Sequence, residues 1–89
     1  MIKLDIEEFI FEVKDEILSY EELGEEWANK WEQDFLDWLN NDSIKKKNVK
    51  KIKDEIFYMI EDESEVFDIA DKYYYAVEEN KTDEYWKKF

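Results

Sequence analysis

The sequence predicts an all-α protein: a small bundle of about four helices with a short C-terminal helical turn, in a single domain over residues 1–89. Two observations support this fold class. The chain has no proline and a single glycine, and its apolar residues recur mostly at spacings of three and four. With 44% apolar residues, a chain of this length can bury one modest core.

The N-terminal half predicts two long amphipathic helices. The first begins at Asp5, which forms a capping-box pattern with Glu8, and runs to about Tyr20, with Gly24 as its C-cap or the turn after it. The second ends near Asn40 and carries a stripe of large rings: Trp27, Trp31, Phe35 and Trp38. We expect the last three rings in the core, because rings four residues apart on an amphipathic helix usually pack inside.

A third helix is predicted after a turn in which Asp42 or Ser43 acts as the cap. Its apolar face would consist of Val49, Ile52, Ile56, Met59 and Ile60. Lysines crowd its start and oppose the helix dipole, so we expect fraying as far as Asn48. Strand is the alternative to helix at residues 1–4 and 56–60.

A fourth helix is predicted from Glu63 to Glu79, with Asp62 at its start and Asn80 as its breaker. Thr82 then caps a last short helix, which carries Tyr85, Trp86 and Phe89. Nothing in the chain indicates an internal repeat or a linker, so these helices should surround one core.

The composition excludes most enzyme classes, because the chain has no histidine, cysteine or arginine. Catalytic pairs such as Ser-His and Cys-His, zinc–thiolate sites and arginine clamps on phosphate are therefore impossible. Residues 62–65 come closest to a calcium loop but lack its glycine and its spaced acid. We expect a protein that is not an enzyme, with no catalytic residue, no metal site and no cofactor.

No part of the sequence predicts a membrane segment or an exported protein. The longest uncharged apolar runs, residues 57–60 and 73–77, are far shorter than the ~20 residues that a membrane span needs. The residues that the chain favours, such as Lys, Ile, Asn and Tyr, have AT-rich codons. We therefore expect a cytoplasmic protein of a low-GC bacterium, or of a phage or plasmid in such a host.

Charge is the most informative feature, with 26 acidic and 13 basic residues and a net charge of −13. The charges are segregated, because residues 45–53 carry lysines and no acid. Glu8, Glu12 and Glu16 form a row of like charges at helical spacing, and two pairs repeat the pattern: Glu21 with Glu25 and Glu22 with Glu26. Each like-charge pair costs a few tenths of a kcal/mol, about 0.2–0.5.

Rows of like charge that cost stability suggest a binding function. The predicted partner is a basic protein, because a net charge of −13 repels nucleic acid directly. A core of this size cannot easily hold sixteen aromatic side chains, so we expect a partly exposed aromatic patch rimmed by acids, formed by Trp27, Tyr74, Tyr75 and Trp86. The predicted partner-binding residues are Glu8, Glu12, Glu16, Glu21, Glu22, Glu25, Glu26 and Trp27.

In length, charge, codon bias and lack of catalytic residues, the chain resembles the small acidic inhibitors that phages and mobile elements carry, including anti-CRISPR proteins and other DNA mimics. The resemblance implies a non-catalytic one-to-one complex in which carboxylate rows occupy the lysine- and arginine-lined site of a nucleic-acid-binding enzyme. It also implies that the inhibitor is a monomer or a homodimer.

Two alternatives stay open at this stage. The chain also resembles bacteriocin immunity proteins, which are small, acidic and helical and bind basic nuclease toxins; the three tyrosines at residues 73–75 contribute to this likeness. The other alternative is a helical adaptor or homo-oligomeric assembly protein, in which the tryptophan and tyrosine stripes form the interface and the acids serve solubility.

Overall fold

A computed structural model of the protein describes residues 1–41 and 46–89 and shows a mixed α/β fold. The described elements are, in chain order, β1 (Ile2–Asp5), α1 (Ile6–Leu18), α2 (Gly24–Leu39), β2 (Val49–Ile52), β3 (Glu55–Ile60), α3 (Ser64–Glu78) and α4 (Thr82–Lys88). The prediction of an all-α bundle is therefore wrong, although its helices at residues 6–18, 24–39, 64–78 and 82–88 are confirmed.

The three strands form one antiparallel sheet in the order β1-β3-β2. In the central strand β3, Tyr58 and Ile60 are buried, whereas Phe57 and Met59 on the other face are half-buried. Leu4 of β1 lies opposite Tyr58 and is buried with it. The helices therefore cover one face of the sheet and leave the other open.

The predicted third helix is replaced by the β2–β3 hairpin, whose turn contains Lys53 with φ of 58°. The spacing misled the prediction, because Ile56 and Ile60 are four residues apart and both a helix and a strand place such residues on one face. The hairpin sequence is rich in β-branched and aromatic residues, which favour strands. The strand alternative at residues 1–4 and 56–60 is confirmed, since β1 and β3 pair with each other.

The helix ends largely follow the predicted signals. Asp5 caps α1 and accepts a hydrogen bond from the backbone N–H of Glu8 at 2.8 Å. Ser19, and not Gly24, is the C-cap of α1; Gly24 follows the turn at residues 19–23 as the first residue of α2 and has φ of 68°. Asn80, with φ of 57°, follows the end of α3. The N–H of Lys81 donates to the carbonyl of Ala76 at 2.7 Å, which completes the hydrogen bonding of that helix end.

Two other cap predictions have different outcomes. The side chain of Asp62 does not accept from the N–H of Glu65 as a capping box would; that N–H donates to the backbone carbonyl of Asp62 at 3.2 Å. The Asp62 carboxylate accepts hydrogen bonds from the backbone N–H and hydroxyl of Ser64. Thr82 is the first residue of α4 rather than its cap. The predicted cap at Asp42 or Ser43 lies outside the described residues.

Aromatic rings dominate the core between the helices and the sheet. As predicted, Trp31, Phe35 and Trp38 are buried, and the rings of Trp31 and Phe35 stack at 5.1 Å between centroids. Phe9 of α1 stacks on Tyr58 of β3 at 3.8 Å. The short helix α4 adds three rings that pack against this core: Tyr85, Trp86 and Phe89.

Two hydrogen bonds of the Tyr85 hydroxyl connect α4 to α2 and α3. The indole N–H of Trp31 donates to the hydroxyl of Tyr85 at 3.0 Å, and that hydroxyl donates to the carbonyl of Ile69 at 3.1 Å. A buried indole N–H that loses its acceptor keeps its full desolvation cost.

We therefore predict that Tyr85→Phe lowers the free energy of unfolding by about 1–3 kcal/mol, because it leaves the Trp31 N–H without its acceptor and removes the bond to the Ile69 carbonyl. Urea unfolding followed by tryptophan fluorescence measures the change. Tyr75→Phe is the matched control, since this ring is 57% exposed and should lose almost no stability. Equal unfolding midpoints for the two variants would contradict the role of the Tyr85 hydroxyl.

Candidate protein-interaction surface

The predicted row of Glu8, Glu12 and Glu16 lies along α1, beside the face that this helix buries. Glu8 is exposed, and Glu12 and Glu16 are half-buried. Residues four apart on a helix are neighbours, so the three carboxylates follow one another at intervals of one turn. Within the described residues, none of the three forms an ion pair. No lysine there neutralises the row.

The carboxyl groups of this row act on one another and on their neighbours. The backbone N–H of Glu8 stabilises the charged form of Asp5 and lowers its pKa. A hydrogen bond between the two side chains, followed by repulsion from Asp5 and Glu12, raises the pKa of Glu8. Burial, and then the charge of Asp15, raises the pKa of Glu16. The fold therefore holds like charges close together on α1.

The other four predicted glutamates lie around the connection between α1 and α2: Glu21, Glu22, Glu25 and Glu26. All four are exposed. Their expected pairing needed one continuous helix, but residues 19–23 form a turn and Gly24 adopts a positive φ, so the helical-spacing argument is wrong here. The latter two glutamates lie in the first turn of α2, where negative side chains favour the helix dipole. Their role in binding stays a prediction.

Trp27 is half-buried at the edge of the core. Its ring meets the ring of Tyr73 edge-on, with 6.3 Å between centroids. It therefore contributes to packing and keeps part of its surface accessible, and its predicted role as a surface anchor stays a prediction.

The sequence analysis missed a more exposed ring on the same helix as the row. Phe11 is 71% exposed and lies with Glu7, Glu8 and Glu12 around a shallow depression. The signal was present in the sequence, because Phe11 falls outside the apolar stripe that α1 turns to the core. Aromatic side chains are enriched in protein interfaces, whose rims are polar.

A second group of rings was predicted only in part: Tyr74 and Tyr75 were expected in an exposed aromatic patch, but Tyr20 was placed in the core stripe of the first helix. Tyr20, which follows α1, stacks on Tyr74 of α3 with 4.7 Å between centroids and an interplanar angle of 11°. The hydroxyl of Tyr20 donates to the carboxylate of Asp71 at 2.9 Å. The ring centroid of Tyr75 lies 5.4 Å from that of Tyr74. We call Tyr20, Tyr74 and Tyr75 the tyrosine cluster.

The lysine-rich segment leads into the β2–β3 hairpin instead of a frayed helix start, and Lys45 lies outside the described residues. Lys50 and Lys51 are exposed on the edge strand β2, where lysines discourage pairing with the edge of another sheet. On the open face of the sheet, the ammonium of Lys3 lies 4.5 Å from the ring centroid of Phe57. Part of the positive charge thus lies on the sheet, away from the acidic helices.

Ion pairs neutralise few of the acids. In residues 1–41 and 46–89 the structure forms three: Lys14–Glu32 at 2.6 Å, Lys30–Asp34 at 3.2 Å and Lys72–Asp68 at 3.0 Å. Two of these pairs lie within one helix: Lys72 pairs with Asp68 one turn before it, and Lys30 pairs with Asp34 one turn after it. Most carboxylates of the described helices thus face solvent without a lysine partner.

Other kinds of site find little support in the described part of the chain. No three acidic side chains there come together in a way that could hold a metal ion. Nor does any of its helices have the length and apolar character to cross a membrane. A cavity of about 520 Å³ between α3 and α4 is lined by both lysines and acids, and it presents no single sign of charge.

Comparison with known proteins adds no relative: no family model, curated protein or solved structure matches the chain. The function must therefore be argued from this surface alone.

The tyrosines lead to a prediction about alkaline pH. Burial is the main cause that raises the pKa of Tyr20, to about 12 against an ordinary value of 10.0, and its hydrogen bond to Asp71 adds to the shift. Burial likewise raises the pKa of four other tyrosines: Tyr58, Tyr73, Tyr74 and Tyr85.

A raised pKa means that the folded protein holds these phenol protons more tightly than the unfolded chain does. The resulting stabilisation is complete below pH 10 and is lost as the pH rises through the folded values. We predict that the free energy of unfolding falls steadily above pH 10, and that phenolate absorbance rises steeply only as the protein unfolds. Tyr20→Phe should weaken this pH dependence. A phenolate titration of the folded protein centred at pH 10 would contradict the prediction.

Proposed function

We propose that the protein is a non-catalytic inhibitor that binds the basic nucleic-acid site of another protein, such as a host defence nuclease, in the manner of anti-CRISPR proteins and other DNA mimics. The observation that supports this proposal is the carboxylate row of Glu8, Glu12 and Glu16 on α1, which no ion pair within the described residues neutralises. A helix that served only the fold would gain stability from lysines at such positions.

The row has the form that a phosphate-binding groove recognises. Successive carboxylates are four residues apart, about 6 Å of rise along the helix, and so present a regular line of negative charge. Lysine and arginine side chains that bind a nucleic-acid backbone can accept such a line in its place. Electrostatic complementarity of this kind gives fast, salt-dependent association.

The alternative of a helical adaptor or homo-oligomeric assembly protein receives less support. Its interface was expected to use the tryptophan stripe, but Trp31, Phe35 and Trp38 are buried within the single chain. The bacteriocin immunity alternative implied a helical protein, and the three-stranded sheet departs from that expectation. A basic protein partner is common to the immunity alternative and to the inhibitor.

To test the proposal, immobilised protein is exposed to a low-GC bacterial lysate, and the retained proteins are eluted with duplex DNA. We expect DNA to release a nucleic-acid-binding protein, because both ligands would occupy one basic site. Replacing Glu8, Glu12 and Glu16 with Gln should weaken the binding of that purified partner by about tenfold and flatten its salt dependence. Thermal unfolding should show unchanged or slightly higher stability, since like-charge repulsion is relieved.

The matched control removes the same charge elsewhere, by replacing Glu55, Glu79 and Glu84 with Gln. These three side chains are exposed and lie on β3, at the end of α3 and on α4. The control variant should bind nearly as well as the parent protein. If both triple variants lose affinity equally, only net charge matters; if neither does, the row on α1 is a solvated face and the proposal fails.

We further predict that the protein itself does not bind duplex DNA at physiological salt. The lysines on β2 are few, and the net charge of −13 repels the phosphate backbone. A gel-shift titration with a random-sequence duplex measures this, with a duplex-binding control protein as a check on sensitivity. A retarded band at physiological salt would contradict the prediction and would indicate the open face of the sheet as the binding surface.

A further inference from the structure

The tyrosine cluster combines aromatic surface with negative charge where α1 ends against α3. Tyr20 and Tyr74 stack on each other and are half-buried, whereas Tyr75 is 57% exposed. A packing role explains the stacked pair, but it does not explain why the neighbouring ring of Tyr75 faces solvent.

Carboxylates surround these rings on both helices. On α3, Asp71 and Glu78 lie one turn before and one turn after the two adjacent tyrosines, so all four side chains share a face. Glu16 and Glu22 act on Tyr20 and Tyr74 from α1 and from the turn after it, since their charges help to raise the pKa values of these phenols.

The described structure supplies no cation to this group. None of the four carboxylates takes part in an ion pair formed there, and the nearby Lys72 is paired with Asp68 at 3.0 Å. The negative charge around the rings is therefore available to a positive group from outside the protein.

An arginine side chain fits this combination better than any other protein group. A guanidinium is planar, stacks on aromatic rings and bonds to a carboxylate through two parallel N–H groups, whereas an ammonium acts as a point charge. Glu16 is both the last member of the row on α1 and a neighbour of Tyr20, so the tyrosine cluster lies next to the C-terminal end of the row.

We propose that Tyr20, Tyr74 and Tyr75, with Asp71, form the docking point for an arginine side chain of the basic partner protein. This inference rests on the proposed function, because it assumes a basic partner, and it adds which residue type that partner presents at this end of the row.

Two capped peptides, hexa-arginine and hexa-lysine, serve as probes of equal charge. NMR titration at low salt follows the ring signals of the tyrosines and gives the affinity of each peptide. We expect the arginine peptide to bind about threefold to fivefold tighter than the lysine peptide, and to shift the Tyr75 and Tyr74 signals most.

Tyr75→Leu should abolish the preference for arginine and leave the affinity for the lysine peptide almost unchanged. The matched control is Phe67→Leu, which removes another ring of α3, 51% exposed, and should keep the preference. Because Tyr75 is exposed, the Tyr75→Leu variant should fold normally, and its thermal unfolding midpoint checks this. Tyr74→Leu then extends the test to the stacked pair of rings. Equal affinities of the parent protein for the two peptides, or unmoved tyrosine signals, would overturn the inference.

The outcome is separable from that of the proposed function. If the glutamine variant of the row loses its partner but the parent shows no arginine preference, the proposed function stands and the docking point is wrong. If the parent protein prefers the arginine peptide but duplex DNA releases no partner, the docking point stands and the proposed function fails.

Discussion

The stack of Phe9 on Tyr58, with 3.8 Å between ring centroids, is the contact on which the fold depends most. Phe9 also meets Trp31 at 5.9 Å and Phe35 at 5.3 Å, so a single fully buried side chain links α1 to α2 and to the central strand of the sheet. Leu4 enters the same core from β1. A two-layer arrangement follows, because α1 must lie across the inner face of the sheet for Phe9 to reach β3.

That arrangement also decides which side of α1 the solvent meets. With Phe9, Val13 and Ile17 facing inward, Glu8, Glu12 and Glu16 fall beside the buried face, and Phe11 falls on the outside. Carboxylates held near a packed interface and next to other carboxylates find it harder to ionise, as the raised pKa values of Glu8 and Glu16 indicate. The aromatic core thus places the acidic row in a fixed position relative to the exposed ring.

The helices were predictable from sequence because their signals are local: the stripe of α1, the rings of α2 and the break at Asn80 all lie within a few turns. The sheet was predictable only in part: strand was an alternative at residues 1–4 and 56–60, but the pairing of β1 with β3 joins residues as far apart in sequence as Leu4 and Tyr58. The candidate surface divides in the same way. The row on α1 follows from helical spacing, whereas the tyrosine cluster depends on bringing Tyr20 to Tyr74, which periodicity cannot show.

The lysines of β2 and the carboxylates of α1 and α2 lie on different layers, and this separation gives the molecule an electric dipole in addition to its net charge. Near a positively charged surface, a freely diffusing molecule with such a dipole rotates before it makes contact. The helical layer then faces that surface, and the sheet lies on the far side. Orientation of this kind raises the fraction of productive encounters. The lysines on the sheet would therefore affect the rate of association, although they make no contact with the partner.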